Sequence, residues 1–165
     1  MSYVIEHKTL GDYPNILKFF HLKVKELQLP AAPFLESVHS LDIYIMNGIL
    51  FDDQGMVYGQ LFDGDETQTS LILSQSGKMN PFRVPANRTM ILLSNYGDEK
   101  FKQSTIVHEI SHLMKNYVEG TSPDYSPNGR DELVARDFET QYLERIGLQA
   151  NELDSHMNQK YYPEE

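Results

Sequence analysis

Three observations predict an α+β fold. An amphipathic helical pattern lies near the N-terminus, a run of short β-branched and aromatic segments fills residues 41–95, and two further helical patterns follow, joined by a Ser/Pro/Gly-rich loop.

Asp12-Tyr13-Pro14 reads as a helix start, with Asp12 as cap and the proline inside the first turn. Ile16, Leu17, Phe20, Val24 and Leu27 then recur at helical spacing up to Pro30. From Leu41 the texture changes. LDIYIM, GILF, MVYGQLF and TSLILS are short, and the turn clusters DDQG and DGDETQ separate them. Their short links predict a small, mainly antiparallel meander. The cluster Asp63-Gly64-Asp65-Glu66 lacks the ligand series of an EF-hand calcium loop and reads as a hairpin tip.

RTMILLSN, residues 88–95, is one more strand. A helix begins at Asp98 or Ser104 and runs to Tyr117, with Ile106, Val107, Ile110, Leu113 and Met114 as its apolar face. Residues 118–129, VEGTSPDYSPNG, make a loop. A second helix covers residues 130–146, with Leu133, Val134, Phe138, Tyr142, Leu143 and Ile146 apolar and Gly147 as its C-cap. The last residues, MNQKYYPEE, are expected to fray.

The 165 residues suit a single domain with its own core. No cysteine is present, so disulfides and thiolate metal sites are excluded, and any metal must be held by histidine and carboxylate. The opening residues, MSYVIEHKTLGDYPN, show no basic stretch followed by an apolar core, and no apolar run approaches the roughly 20 residues that span a bilayer. The expectation is a protein with no membrane partner, acting in the cytoplasm or delivered outside the cell by a route without a cleavable N-terminal signal. Net charge is −10, and residues 98–165 carry 14 acids against 7 Lys/Arg. A phosphate backbone would be repelled, so no nucleic-acid partner is expected. A basic protein partner fits the charge, and plain solubility fits it equally.

The segment IVHEISHLM, residues 106–114, carries the chemistry. A helix advances 100° per residue, so His108 and His112 stack one turn apart on one face. Two imidazoles so placed can meet one Zn²⁺ at about 2.0–2.1 Å each. Glu109 sits one step round the helix, too awkward to ligate beside its neighbour but well set to accept a proton from water. That division of labour is what metal-assisted hydrolysis demands. Two histidines falling one turn apart by chance is the competing reading. The apolar face behind the pair, the strand before it and the acid-bearing helix after it favour the metal.

Catalytic zinc sites usually use three protein ligands plus water. No His-x-x-Gly-x-x-His continuation follows His112, which rules out the metzincin pattern. Glu132 is the favoured third ligand: it lies 20 residues past His112 in the first turn of the next helix, and Ala135 one turn on leaves room between the two helices. An acid in a helix's first turn is also favoured by the dipole alone. His156, 44 residues past His112, is a distant alternative.

HEISH followed by ELVA resembles the gluzincin class of zinc metallopeptidases, whose pattern is His-Glu-x-x-His and a later Glu-x-x-Ala or Glu-x-x-x-Asp. The short chain is similar to the small bacterial members, the ImmA/IrrE-like peptidases and the effector or toxin zinc proteases. The resemblance covers roughly residues 88–146. It implies a zincin-like domain in which His108, His112 and Glu132 bind Zn²⁺ and Glu109 is the base. It also implies that the strand TMILLSN is the edge strand that lines the cleft and pairs with an extended peptide substrate. Arg136 stands where some members carry an Asp that supports a ligating histidine; Asp137 or Glu139 could serve instead. GTSPDY, residues 120–125, resembles the Gly-Thr-x-Asp segment of aspzincins, which would make Asp124 the third ligand and Tyr125 an oxyanion donor. Tyr117, Tyr142 and Arg145 are the other candidates for that donor.

Three functional classes follow. The leading one is a zinc-dependent endopeptidase acting on a protein or peptide substrate. The second is a zinc-binding regulatory or partner-binding domain with little or no proteolysis, and the third a structural domain without metal. Glu109 argues against the second, because a structural zinc site needs no carboxylate between its histidines and closes with a fourth protein ligand.

Overall fold

The computed structural model describes residues 3–28, 32–52, 55–64, 66–119 and 129–161. The chain order is β1 (Val4–Thr9), a 3₁₀ turn (Leu10–Asp12), α1 (Pro14–Glu26), α2 (Ala32–His39), β2 (Asp42–Met46), β3 (Ile49–Asp52), β4 (Gly55–Val57) and β5 (Gly59–Gly64). β6 (Gln68–Leu73), β7 (Met79–Val84), β8 (Arg88–Ser94), α3 (Glu99–Glu119), α4 (Arg130–Arg145) and α5 (Ala150–Tyr161) complete it. The fold is mixed α+β, with five helices and two four-stranded sheets among the described residues, ordered β1-β2-β8-β5 and β4-β3-β6-β7.

Strand alternation sets the layers. Ile43 and Ile45 of β2 and Ile91 and Leu93 of β8 join Phe19 and Phe20 of α1 and Ile106, Ile110 and Leu113 of α3 in one core. The opposite face of the same sheet, with Met46, Met90 and Leu92, packs on Leu50, Ile72 and Val84 of the second sheet. The first sheet is therefore covered on both faces, which is why LDIYIM and RTMILLSN read as nearly continuous apolar runs.

The predicted meander is not what forms. GILF and LDIYIM lie in different sheets, and so do the two halves of MVYGQLF, which the chain splits at Tyr58. β2 and β8 pair in parallel, with Ile43 opposite Ile91, and β3–β7 lie on the long excursion between them. Asp63 and Gly64 end β5 in one sheet and β6 begins at Gln68 in the other, so these two strands do not form the expected hairpin. Asp65 lies outside the described residues, and Asp63 accepts a hydrogen bond from the Thr89 hydroxyl at 2.7 Å. β8 is also not an edge strand, since β2 and β5 flank it. The edge strand that lines a cleft with His108 and His112 is β5.

The start of α3 is set by a side chain, and that of α1 is not. Asp98 caps α3 by accepting the Phe101 N–H at 2.9 Å. Gly97 before it has φ +80°, and a Cβ there would lie 2.6 Å from the Phe101 ring. Asp12, expected to cap α1, instead accepts the backbone N–H of Thr9 at 3.0 Å, and Tyr13 takes the N-cap position with Pro14 in the first turn. Leu27 of the expected apolar stripe is exposed, and Phe19 is buried in its stead.

α4 also departs from its apolar pattern. Leu133 and Val134 are exposed, while the buried face carries Asp131, Ala135, Phe138, Glu139, Tyr142 and Leu143. Two carboxylates on a buried face call for partners. Residues 157–161 do not fray as expected: α5 runs to Tyr161, Leu153 packs with Leu143 and Leu148, and Lys160 is buried, while residues 162–165 lie outside the described residues.

Candidate metal centre

α3 and α4 lie side by side, and their facing residues supply the cluster. His108 and His112 are both buried, and their Nε2 atoms stand 3.3 Å apart, as one helical turn dictates. Glu132, from the first turn of α4, lies across from them, with Oε1 2.8 Å from His108 Nε2 and Oε2 3.0 Å from His112 Nε2. Ala135, fully buried one turn on, leaves space for this approach. The three ligand atoms fall within 4.8 Å of one another, a buried set that could hold a metal ion.

Each imidazole presents Nε2 inward, and for His108 the reason is visible. Its Nδ1–H donates to Glu139 Oε1 at 2.9 Å on the far side of the ring. A carboxylate on one ring nitrogen fixes orientation and leaves the other nitrogen for a cation. Glu139 is the acid that supports this histidine. Asp137 does not, since it accepts from Gln141 at 2.8 Å on the exposed side of α4.

The carboxylates around His108 set the electrostatics of the cluster. Burial alone would push the His108 imidazole down, but its hydrogen bonds to Glu132 and Glu139 raise it to about 9. Burial likewise works against an ionised Glu132, yet the two histidines hold its carboxyl down at about 2. The His108 ring thus lies between two carboxylates, Glu132 at Nε2 and Glu139 at Nδ1, which favour positive charge there. Glu139 is held well below the ordinary carboxylate range: burial opposes ionisation, but the Lys160 charge and the His108 hydrogen bond prevail.

Glu109 is buried beside the cluster and lines the cleft rather than joining the ligands. Burial pushes its carboxyl up, with the neighbouring histidines pulling the other way. A basic carboxylate next to a cation site is a suitable proton acceptor.

The cluster forms one wall of a cleft of about 430 Å³. β5 supplies the facing wall through Gly59, Gln60, Leu61 and Phe62, with Met56 and Val57 of β4 beside it. Gly59 makes the close approach possible: a Cβ there would meet Thr105 Cγ2 of α3 at 2.7 Å. Arg136 and Tyr161 close the cleft, the guanidinium lying 4.3 Å from the Tyr161 ring centroid.

The other sequence candidates separate cleanly. His156 hydrogen-bonds to Ser104 at 3.0 Å and stands outside the three-residue cluster. Tyr142 is a core residue whose hydroxyl donates to Gln103 at 2.6 Å, and Arg145 lines a different depression with Asn15 and Lys18. Asp124, Tyr125 and the side chain of Tyr117 lie outside what the structure describes. Sequence reading missed Lys160 and Tyr161. The spacing of Leu153, Met157 and Tyr161, at i, i+4 and i+8, was the available signal for a last amphipathic helix.

Among the described residues, no helix is long and apolar enough to cross a membrane. Comparison with protein-family models, with curated proteins and with solved structures finds no match to this chain.

Proposed function

We propose that the chain is a zinc-dependent metallo-endopeptidase of zincin-like architecture, cleaving peptide bonds of a protein substrate. The observation that carries this reading is the meeting of His108, His112 and Glu132 within 4.8 Å on the wall of an open cleft, with Glu109 alongside. Two imidazoles and a carboxylate, without sulfur, are a donor set that suits zinc, and three protein ligands leave a position open. When bound, the cation supplies Lewis acidity, polarising a carbonyl and lowering the pKa of water to about 7.

The chain's own groups perform the remaining work. Glu109 takes the proton of the attacking water and passes it to the leaving amine. Arg136, whose Nε lies 3.9 Å from Glu132 Oε1, brings positive charge to the cleft wall where negative charge develops on the substrate. β5, an edge strand along the cleft, offers its backbone to an extended peptide. A cysteine-free chain is at home in a reducing cytoplasm, its own or that of a cell to which it is delivered.

The test measures bound zinc and new protein N-termini after a pooled proteome is exposed to wild type, Glu109→Gln and His112→Ala. Wild type should cleave. Glu109→Gln should keep its zinc and lose about 10²–10⁴-fold of the rate, the usual worth of a general base. Zinc-loaded wild type that generates no new N-termini would overturn the peptidase reading.

A further inference from the structure

The last helix reaches back to the metal cluster. Lys160 of α5 is buried, its side chain 2% exposed, and its ammonium donates to Glu139 Oε2 at 3.0 Å, Ser104 Oγ at 3.1 Å and Thr105 Oγ1 at 2.5 Å. Tyr161, the next residue, donates its hydroxyl hydrogen to Glu139 Oε1, and its oxygen lies 2.8 Å from Nδ1 of His108. Its ring stacks near that imidazole, with centroids 5.8 Å apart and planes 25° from parallel.

A buried ammonium costs several kcal/mol of desolvation and persists only where charge and hydrogen bonds compensate it. Here all three of its hydrogens are used, and one goes to a carboxylate that is itself fully buried. The proton chemistry assigned to Glu109 makes no use of Lys160. What it does is satisfy Oε2 of Glu139, leaving Oε1 to accept from Tyr161 and from His108.

We propose that Lys160 and Tyr161 are positioning residues for the metal centre, holding the Glu139 carboxylate against Nδ1 of His108 so that Nε2 of that imidazole is presented to the cation. This rests on the metal-site reading but not on peptidase activity. The C-terminal helix thereby sets metal affinity through a chain of contacts, α5 to Glu139 to His108, without touching the ion. Lys160 also cancels the Glu139 charge, so this carboxylate orients a ligand without adding net negative charge to the centre.

The experiment titrates Zn²⁺ against a chromophoric chelator in the full chain and in Tyr161→Phe, Lys160→Met, Glu139→Gln and the Lys160→Met/Glu139→Gln double variant. The Nδ1–H resonance of His108 in the zinc-loaded proteins is followed by NMR. Supporting partners of this kind are worth about 10–100-fold in metal affinity. Tyr161→Phe and Lys160→Met should each weaken zinc binding toward that range and shift the Nδ1–H resonance. The double variant should bind better than the sum of its parts, because a neutral carboxamide needs no buried ammonium. Wild-type zinc affinity and an unmoved resonance in Tyr161→Phe, which removes one oxygen and leaves the fold, would overturn the proposal, as would strict additivity in the double variant. Tight zinc binding by a wild type that cleaves nothing would end the peptidase reading and leave this one standing.

Discussion

Nε2 of His108 lies 2.8 Å from Oε1 of Glu132, a contact that favours the protonated imidazole over the neutral one. Metal and proton therefore compete for the same atom, which fixes a pH dependence with a definite sign. His108 is raised from 6.5 to about 9, so its contribution to metal-free stability is complete below 6.5 and is lost as pH rises through about 9. Glu132, lowered from 4.5 to about 2, behaves oppositely: its contribution is present above 4.5 and is lost as pH falls through about 2. Zinc binding must expel the His108 proton. Apparent zinc affinity should rise about tenfold per pH unit between 6.5 and 9, while metal-free thermal stability declines over the same interval. Chelator competition and thermal melts across this range check both, and a flat affinity profile contradicts the assignment.

The site was more legible than the fold around it. His108, Glu109 and His112 follow from helical geometry, which is local and periodic, so the sequence states it directly. Glu132 needed one further step, the pairing of two helices joined by a short loop. Strand partnership is not local. Nothing in LDIYIM says that its neighbour is RTMILLSN, 42 residues on and parallel, instead of GILF two residues away. A doubly covered strand also loses the alternation that would have shown two packing faces. Glu139 was legible only as one of two acids, with Asp137, that could support a ligating histidine. Lys160 was illegible for a different reason: charged residues are read as surface, and only a buried partner reverses that. Tyr161 was dismissed with a terminus, although its spacing from Leu153 and Met157 was in plain view.

Metal should stabilise the folded chain. A ligand at 100 times its Kd adds about 2.7 kcal/mol to folding, and a domain of this size gains roughly 2–4 °C per kcal/mol. Zinc should therefore raise the melting temperature by about 5–10 °C, reversibly on chelation. His108→Ala and His112→Ala should melt identically with and without zinc. Glu109→Gln should keep the full increment, since Glu109 stands outside the three ligand positions. An unchanged melt of the wild type with zinc would remove the metal from the account.

Gly59 of β5 packs closely against Thr105 of α3. An alanine there would bring its methyl to 2.7 Å from Thr105 Cγ2 and 3.2 Å from Leu93 Cδ2, distances that force β5 away from α3. Overpacking of this kind costs about 1–3 kcal/mol. Gly59→Ala should lower stability by that amount in denaturant titration while keeping wild-type zinc affinity, because neither β5 nor β8 supplies a ligand. If hydrolysis occurs, the loss should fall on KM and kcat together as the wall that receives the peptide moves.

Among the described residues β5 has one strand neighbour, β8, and it lines the cleft together with His108, His112 and Glu132. A peptide that joins such an edge is held by backbone hydrogen bonds at every second residue, since successive residues of a strand face alternately toward and away from the partner. This gives a register test that no side-chain preference can imitate. Once a cleaved sequence is known, single N-methylations walked along the corresponding peptide should alternate in effect. Positions that donate to β5 should lose about 1 kcal/mol of binding each, the usual net worth of a hydrogen bond, or about fivefold in kcat/KM. Intervening positions should be nearly silent. A uniform loss along the peptide, or none at all, would show that the substrate crosses the cleft without pairing to β5.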